Sequence, residues 1–306
     1  MSNKLSLLVP TEITDSVLTS STIVENDYTA YSAATTYALA ARCIKSHRIY
    51  ESQIAGNINH DPDDPINQFG TIVYWLDVGP TNRWAMFDNE VSTQSTATTS
   101  MTIVIEPGNF NTIYLGGLDA LHLIISVKNA PGGTVIFTYS GSLESSKPPD
   151  YYQWAFDPFS FLRSKIVSDI PAYNLMELTV TISGAIGSTV KCGVLAVGLI
   201  RRLGRTQQGA EAKPKTYSYV ATDKYGKTTI KKGKAATDMT ASAVIDSREA
   251  RQVQEALQGA IDTPCMVSCS DNPDYSGLNI FGLVSGKVTY KTSETSEVSV
   301  SVEGLI

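Results

Sequence analysis

The chain has no cysteine pair in CxxC spacing, only three histidines in 306 residues, and no long apolar run. Each scarcity removes a class of protein. Cys43, Cys192, Cys265 and Cys269 are scattered, mostly in apolar strand-like stretches, which excludes a disulfide framework and makes buried free thiols the expectation. His47, His60 and His122 stand outside any GxSxG or HExxH context, so no nucleophile, base and orienting group can be assembled, and no catalytic residue is assigned. The N-terminal apolar run, Leu5 to Val9, is too short for a signal-peptide core, and Cys192 to Ile200 is too short for a bilayer. No membrane span is expected, and the chain is expected to be made and kept in a cytoplasm. Positive charge is also in deficit: 24 Lys and Arg against 30 Asp and Glu leave −6, which argues against a chain whose main role is coating nucleic acid.

Two local patterns imitate ligand loops and fail on their own terms. Gly226-Lys227-Thr228 ends like a phosphate loop, but Ala221 stands where the earlier glycine is required, and a hairpin surrounds it. Asn57, Asn59 and Asp61 have calcium-loop spacing, but Pro62 replaces the turn glycine and Gln68 the bidentate glutamate. A solvated acidic loop is the expectation there, with no metal and no cofactor.

What is present is a globular composition, 42% hydrophobic and 18% charged, long enough for two or three domains. The densest run of large side chains is Tyr74 to Asp88, with Tyr74, Trp75, Trp84, Met86 and Phe87 around a Gly79-Pro80 turn. Aromatics of this size dominate whatever core they enter, so the run is expected to be a structural seam between domains, with Trp84 and Phe87 buried at the junction. Asp77, Thr81, Asn82 and Arg83 among them are expected either to fix the turn through side-chain hydrogen bonds or to pair, Arg83 with Asp77. Residues 1–27, rich in Ser and Thr, are expected to be an N-terminal arm of the kind that crosses to a neighbouring subunit. Residues 28–90, punctuated by Tyr28, Tyr31, Tyr37 and Tyr50, make a small β module.

From 91 to 205, runs of period two recur between Gly- and Pro-rich turns: Met101, Ile103 and Ile105; Leu121, Leu123, Ile125 and Val127; Val135, Phe137 and Tyr139; then Leu178 to Ile182 and Val190 to Ile200. This pattern predicts a β-sandwich or jelly roll. Ten basic residues against Glu211 and Asp223 make Arg201 to Lys234 the basic part of the chain, with Gly204 to Pro214 read as a linker and Tyr217 to Lys232 as a hairpin. The lysines are expected to be a solvated, edge-protecting face, with nucleic acid no more than a passing genome. A helix is predicted from Asp246 to Ile261, with Ala250, Val253, Leu257 and Ile261 on one face. Strands follow at Met266 to Ser268, Leu278 to Val284 and Lys287 to Tyr290, and last comes the alternation Val298, Val300, Val302. The fold class is therefore mainly β and multidomain: a small β module, a sandwich, and a C-terminal β-sandwich over 206–306 with one flanking helix. Val298, Val300 and Val302 lie on a strand little guarded by charge, so it is expected to pair internally or to carry assembly contacts across subunits.

Three resemblances attach to these segments. The spacing of Tyr37-Ala-Leu-Ala-Ala-Arg-Cys-Ile, Arg48-Ile-Tyr-Glu-Ser, Asn57, Pro62 and Trp75 resembles the chitin-binding modules of carbohydrate-binding families 5 and 12, which implies glycan contact at Tyr37, Tyr50 and Trp75. KCGVLAVGLI is similar to the closing strand of galactose-binding-like jelly rolls. The run YWLDVGPTNRWAMFD, with TYSYVATDKYGKTTIKKGKA, SREARQVQEAL and SVSVEGLI, resembles structural proteins of tailed-phage tails and baseplates. That resemblance implies a non-enzymatic virion component in the tail, a homo-oligomeric ring, other tail proteins as partners, and host surface glycan as a further one. A carbohydrate-binding adhesin and an enzyme are the competing classes.

Overall fold

Alternating apolar and polar residues become paired antiparallel strands along the chain, of which the computed structural model describes residues 4–144, 150–156, 160–270 and 273–305. The protein is mainly β, 50% strand and 9% helix. In chain order the first strands are β1 (Lys4–Leu8) and β2 (Leu18–Ser21). The small module follows, with β3 (Arg42–Lys45), β4 (Arg48–Ser52), α1 (Pro65–Phe69) and β5 (Trp75–Pro80) in a three-stranded sheet of order β3-β4-β5. Helix α1 was not foreseen. Its start is nonetheless written locally, because Asp64 accepts the Ile66 N–H at 2.9 Å and Pro65 occupies the first turn.

The sandwich comprises β6 (Ser95–Thr98), β7 (Ser100–Gly108), β8 (Thr112–Gly116), β9 (His122–Lys128), β10 (Val135–Ser142), α2 (Tyr151–Phe156), β11 (Ser164–Val167), β12 (Met176–Ser183), β13 (Thr189–Cys192) and β14 (Val194–Gly198). A five-stranded sheet, β10-β9-β12-β7-β2, shares one core with the sheets β11-β8-β14 and β13-β6. Met101, Ile103 and Ile105 of β7 and Leu123, Ile125 and Val127 of β9 point inward, as the period of two demands. By contrast β8 and β14 are buried on both faces. Leu195 and Val197 enter the sandwich core, whereas Tyr114, Val194 and Ala196 pack with Leu8, Met266 and Phe281 of the C-terminal domain. Double burial explains why GVLAVG is a continuous apolar run without alternation.

The C-terminal domain contains β15 (Ile200–Thr206), β16 (Glu211–Thr216), β17 (Tyr219–Thr222), β18 (Thr228–Lys231), β19 (Ala235–Asp246), α3 (Ala250–Gln258), β20 (Pro264–Ser268), β21 (Asn279–Tyr290) and β22 (Thr295–Gly304). Its sheet has the order β15-β1-β20-β21-β22-β19-β16, and β15 also bonds to β19 through Arg205↔Val244 and Thr206↔Ala243, so the sheet rolls up on itself. Helix α3 lies against β21 and adds Ala250, Val253, Ala256 and Leu257 to the core.

Several expectations change here. The 1–27 arm stays within its own chain: β1 is inserted between β15 and β20, and β2 extends the sandwich sheet. Leu5 and Leu7 fill the C-terminal core, and that burial holds β1 in place. The sandwich ends at β14, because β15 belongs to the C-terminal sheet. Part of the supposed linker is strand as well; β16 pairs with β19, and its Pro214, which has no N–H to donate, marks it as an edge. Leu278 to Val284 and Lys287 to Tyr290 form one strand, β21. Gly286 does not break it; a Cβ there would meet Leu257 Cδ1 at 3.1 Å, so the glycine makes room for α3. The helix is shorter than predicted, and Ile261 lies beyond it, exposed. Val298, Val300 and Val302 provide no assembly surface. β22 is bonded to β21 on one side and β19 on the other, and all three valines are fully buried.

Candidate functional site

The chemistry-bearing side chains of the N-terminal third converge where the small module meets the sandwich. Lys45 pairs with Arg48 across a two-residue turn in which Ser46 and His47 both take positive φ, 47° and 65°. Hairpin turns of this kind favour Asn-Gly, and each non-glycine residue in the left-handed region costs about 1–2 kcal/mol. His47 offsets that cost with its contacts. Its Nδ1 donates to Glu25 Oε1 at 2.9 Å and its Nε2 to Asp15 Oδ2 at 2.9 Å, while the ring stacks on Trp84 at 4.3 Å. Its carbonyl accepts the Thr81 N–H, and Glu25 accepts the Thr81 hydroxyl, both at 2.8 Å.

Burial lowers the His47 pKa, but the hydrogen bonds and charges of Asp15 and Glu25 outweigh it and leave the pKa above the ordinary value. In the protonated form both ring nitrogens donate to carboxylates, and that form has no lone pair for proton abstraction or metal ligation. The cluster therefore acts as a latch between arm, module and sandwich. Asn82 reinforces it, accepting the Thr96 N–H at 2.7 Å and donating its own N–H to Asp27 at 3.1 Å. His60 is used structurally too, stacked on Tyr74 and bonded to Asn57 Oδ1 at 2.8 Å, and His122 is exposed on β9.

The aromatic run is divided between two cores. Trp75 sits in the module core, with Tyr74 packed against it, whereas Trp84 and Met86 sit in the sandwich core, with Phe87 partly buried beside them. Of the two expectations for the turn, the side-chain hydrogen bond is the one found: Asp77 Oδ1 accepts the Gly79 N–H at 3.0 Å, and Arg48 rather than Arg83 pairs with Asp77, at 2.5 Å. Arg83 Nε is left buried without a hydrogen-bond partner.

The glycan contacts inferred for Tyr37, Tyr50 and Trp75 are corrected by burial. Their exposures are 6%, 3% and 1%, and they surround Cys43 as the module's own core. Tyr37 meets Trp75 edge to face at 5.0 Å, Trp75 Nε1 donates to the His60 carbonyl, and the Tyr50 hydroxyl donates to Asp63. Burial and then Asp63 push the Tyr50 pKa up. The module leaves much of its aliphatic surface outside, with Leu39, Ile58, Ile66, Ile72 and Leu76 exposed, and builds its core from these aromatics, whose ring faces are therefore closed to a sugar.

Beside the His47 cluster Tyr28 faces solvent and Tyr31 does so in part. With Glu25, Lys45, Ser46 and His47 they line an open groove of about 400 Å³. Arg42 lies over Tyr28 and donates to its hydroxyl at 3.0 Å, and Lys45 lies over Tyr31 and pairs with Asp61. Asp15, Glu25 and Thr81 carry no local signal that joins them to His47, because their sequence separations follow no motif. Only the prominence of Tyr28 and Tyr31 was readable.

No protein-family model and no curated protein matches the chain. Among solved structures it is similar to a GH29 fucosidase of Ruminococcus gnavus in complex with fucose and to a point mutant of that enzyme, with TM-scores of 0.30 and 0.29 and 12% identity. The alignment covers 38% of this chain and 22% of the fucosidase. A likeness at that level carries no argument about fold or activity.

Proposed function

We propose that the chain is a non-enzymatic structural subunit of a tailed-phage tail or baseplate, assembling with copies of itself into a symmetric ring beside other tail proteins. The observation that carries this reading is the C-terminal rolled sheet with α3 laid on it, in the segments whose sequence resembles phage tail components. The construction of the rest supports it. β1 ties the N-terminus into the C-terminal sheet, and Tyr114 stacks on Phe281 at 5.6 Å between sandwich and C-terminal domain. The His47 latch then ties the module to the sandwich, so the domains are braced against one another, as a load-transmitting subunit requires. The histidine held between two carboxylates supports a structural rather than a catalytic role for the most acidic cluster of the junction. Purified tailed particles, from the strain that encodes the chain, are predicted to contain its peptides by mass spectrometry in multiple copies per particle. Their absence would refute the proposal.

A second reading, host-glycan binding, is favoured by one observation, the groove with solvent-facing Tyr28 and Tyr31 beside Glu25 and Lys45. It is tested by calorimetry with chitin oligomers and host surface polysaccharide, with Tyr28→Ala as the control; heat that survives Tyr28→Ala, or no heat at all, removes it.

A further inference from the structure

Beyond Thr216 and Ala235 the paired strands β16 and β19 continue into the β17–β18 ribbon, which pairs with no other strand among the described residues. The Tyr217 N–H bonds to the Lys234 carbonyl at the base, and Asp223 closes the tip by accepting the Tyr225 and Lys227 N–H groups. Across the ribbon Val220 faces Ile230 and Tyr219 faces Lys231. Tyr217, Tyr219, Val220, Tyr225 and Ile230 are all exposed. A lone two-stranded ribbon is marginal in water, and one with apolar groups on both faces and two free edges is built to be covered.

Charge indicates what covers it. Seven lysines against Asp223 give residues 213–234 a charge of +6, so the rest of the chain carries −12 of the total −6. More than half of that lies in residues 10–90, where eleven carboxylates face four basic groups for −7. In the same part of the molecule apolar side chains are exposed: Ile66 and Phe69 of α1, Ile72 after it, and Leu76 and Val78 on β5, with Phe69 82% exposed. The carboxylates that flank them are the exposed Asp61, Asp63 and Asp64 ahead of α1, the first two shared with Lys45, and Asp77 on β5, paired with Arg48. Asp64 caps the helix that carries Ile66 and Phe69, and β5 is a free sheet edge.

The geometry points to one contact: the lysine- and tyrosine-bearing ribbon of one copy docks on the acidic, apolar α1–β5 face of a second copy. This inference rests on the proposed oligomer and names its interface. Donor and acceptor are different surfaces of the same chain, so the contact is heterologous and propagates around a ring or along a filament. Apolar contact at the ribbon supplies the affinity, and the lysines supply orientation and a salt dependence.

Because the contact is heterologous, complementation tests it. Full-length protein is compared by light scattering with a ribbon variant (V220S, K227E, I230S, K231E) and an acceptor variant (I66S, F69S), all at exposed positions, with unchanged melting as the check on folding. The wild type is expected to exceed the 33.0 kDa of one chain and to dissociate as salt is raised. Each variant alone is expected to self-associate more weakly by at least about tenfold. Their equimolar mixture is expected to stop at a dimer, because one intact donor meets one intact acceptor. If wild type and both variants assemble alike, the ribbon contact is refuted while the ring reading stands. If the wild type stays at one chain's mass at every concentration, both fall. Self-association unchanged in the ribbon variant, with DNA binding by the wild type lost in it, assigns the ribbon to nucleic acid and overturns the proposal. Should the acceptor variant melt early, F69S alone takes its place.

Discussion

Trp84→Ala is the most informative single change at the junction. The indole is nearly buried in the sandwich core, stacked on His47 at 4.3 Å on one side and met by Phe87 at 5.8 Å on the other. Its Nε1 is buried without a hydrogen-bond partner, so truncation loses packing and no hydrogen bond. Removing so large a group costs about 3–5 kcal/mol. At roughly 2–4 °C per kcal/mol for a domain pair of this size, the first thermal transition falls on the order of 10 °C. Because several domains unfold here, calorimetry that separates the transitions is the proper assay, and the module and sandwich transitions should also move apart. A double-mutant cycle with His47→Gln isolates the ring pair. Its coupling is expected at about 0.5–2 kcal/mol and should be larger at pH 6 than at pH 9, because an imidazolium over an indole face adds a cation–π attraction. An unchanged melting profile for Trp84→Ala, or a coupling indifferent to pH, refutes the latch.

His47 has a folded-state pKa above its unfolded value of about 6.5, so its stabilisation is complete below that value and is lost as pH rises through the folded pKa. Melting temperature should therefore decline from pH 6 to pH 9 by an amount that His47→Gln abolishes, and a rise over that window contradicts the assignment. Burial pushes the thiols up, Cys192 to about 12 and Cys43 to about 11, so all four cysteines should resist a thiol reagent at pH 8 until the chain unfolds; fast labelling of the native protein contradicts their burial. Gly286→Ala should cost about 1–3 kcal/mol by crowding Leu257, and markedly less in a Leu257→Ala background, as equilibrium denaturation will read; equal costs in both backgrounds contradict the contact.

Strand identity was legible wherever one face of a strand is buried and the other is not. Met101-Ile103-Ile105 and Val298-Val300-Val302 both announce themselves through the period of two. Neighbours were not legible. Alternation says that Val300 is inward but not that β19 and β21 flank it, and nothing near Leu7 indicates a partner at Val267. Long-range pairing decided between the two outcomes open to that strand, pairing within its own sheet or across subunits, and made it a central strand. The aromatics failed for a different reason. Tyr37, Tyr50 and Trp75 have the same local pattern whether they form a core or a sugar platform, and only the packing of the three around Cys43 decides it. At the junction, His47 was visible as a residue and invisible as a site, because its carboxylate partners come from β-free segments of the arm at unrelated spacings.

The structural-subunit reading stands most directly on electron cryomicroscopy of tailed particles from the strain that encodes the chain. Density for this fold is expected around the tail axis as a closed ring, each copy's β17–β18 ribbon seated on the α1–β5 face of its neighbour. Particles whose tails are fully accounted for by other chains would contradict it.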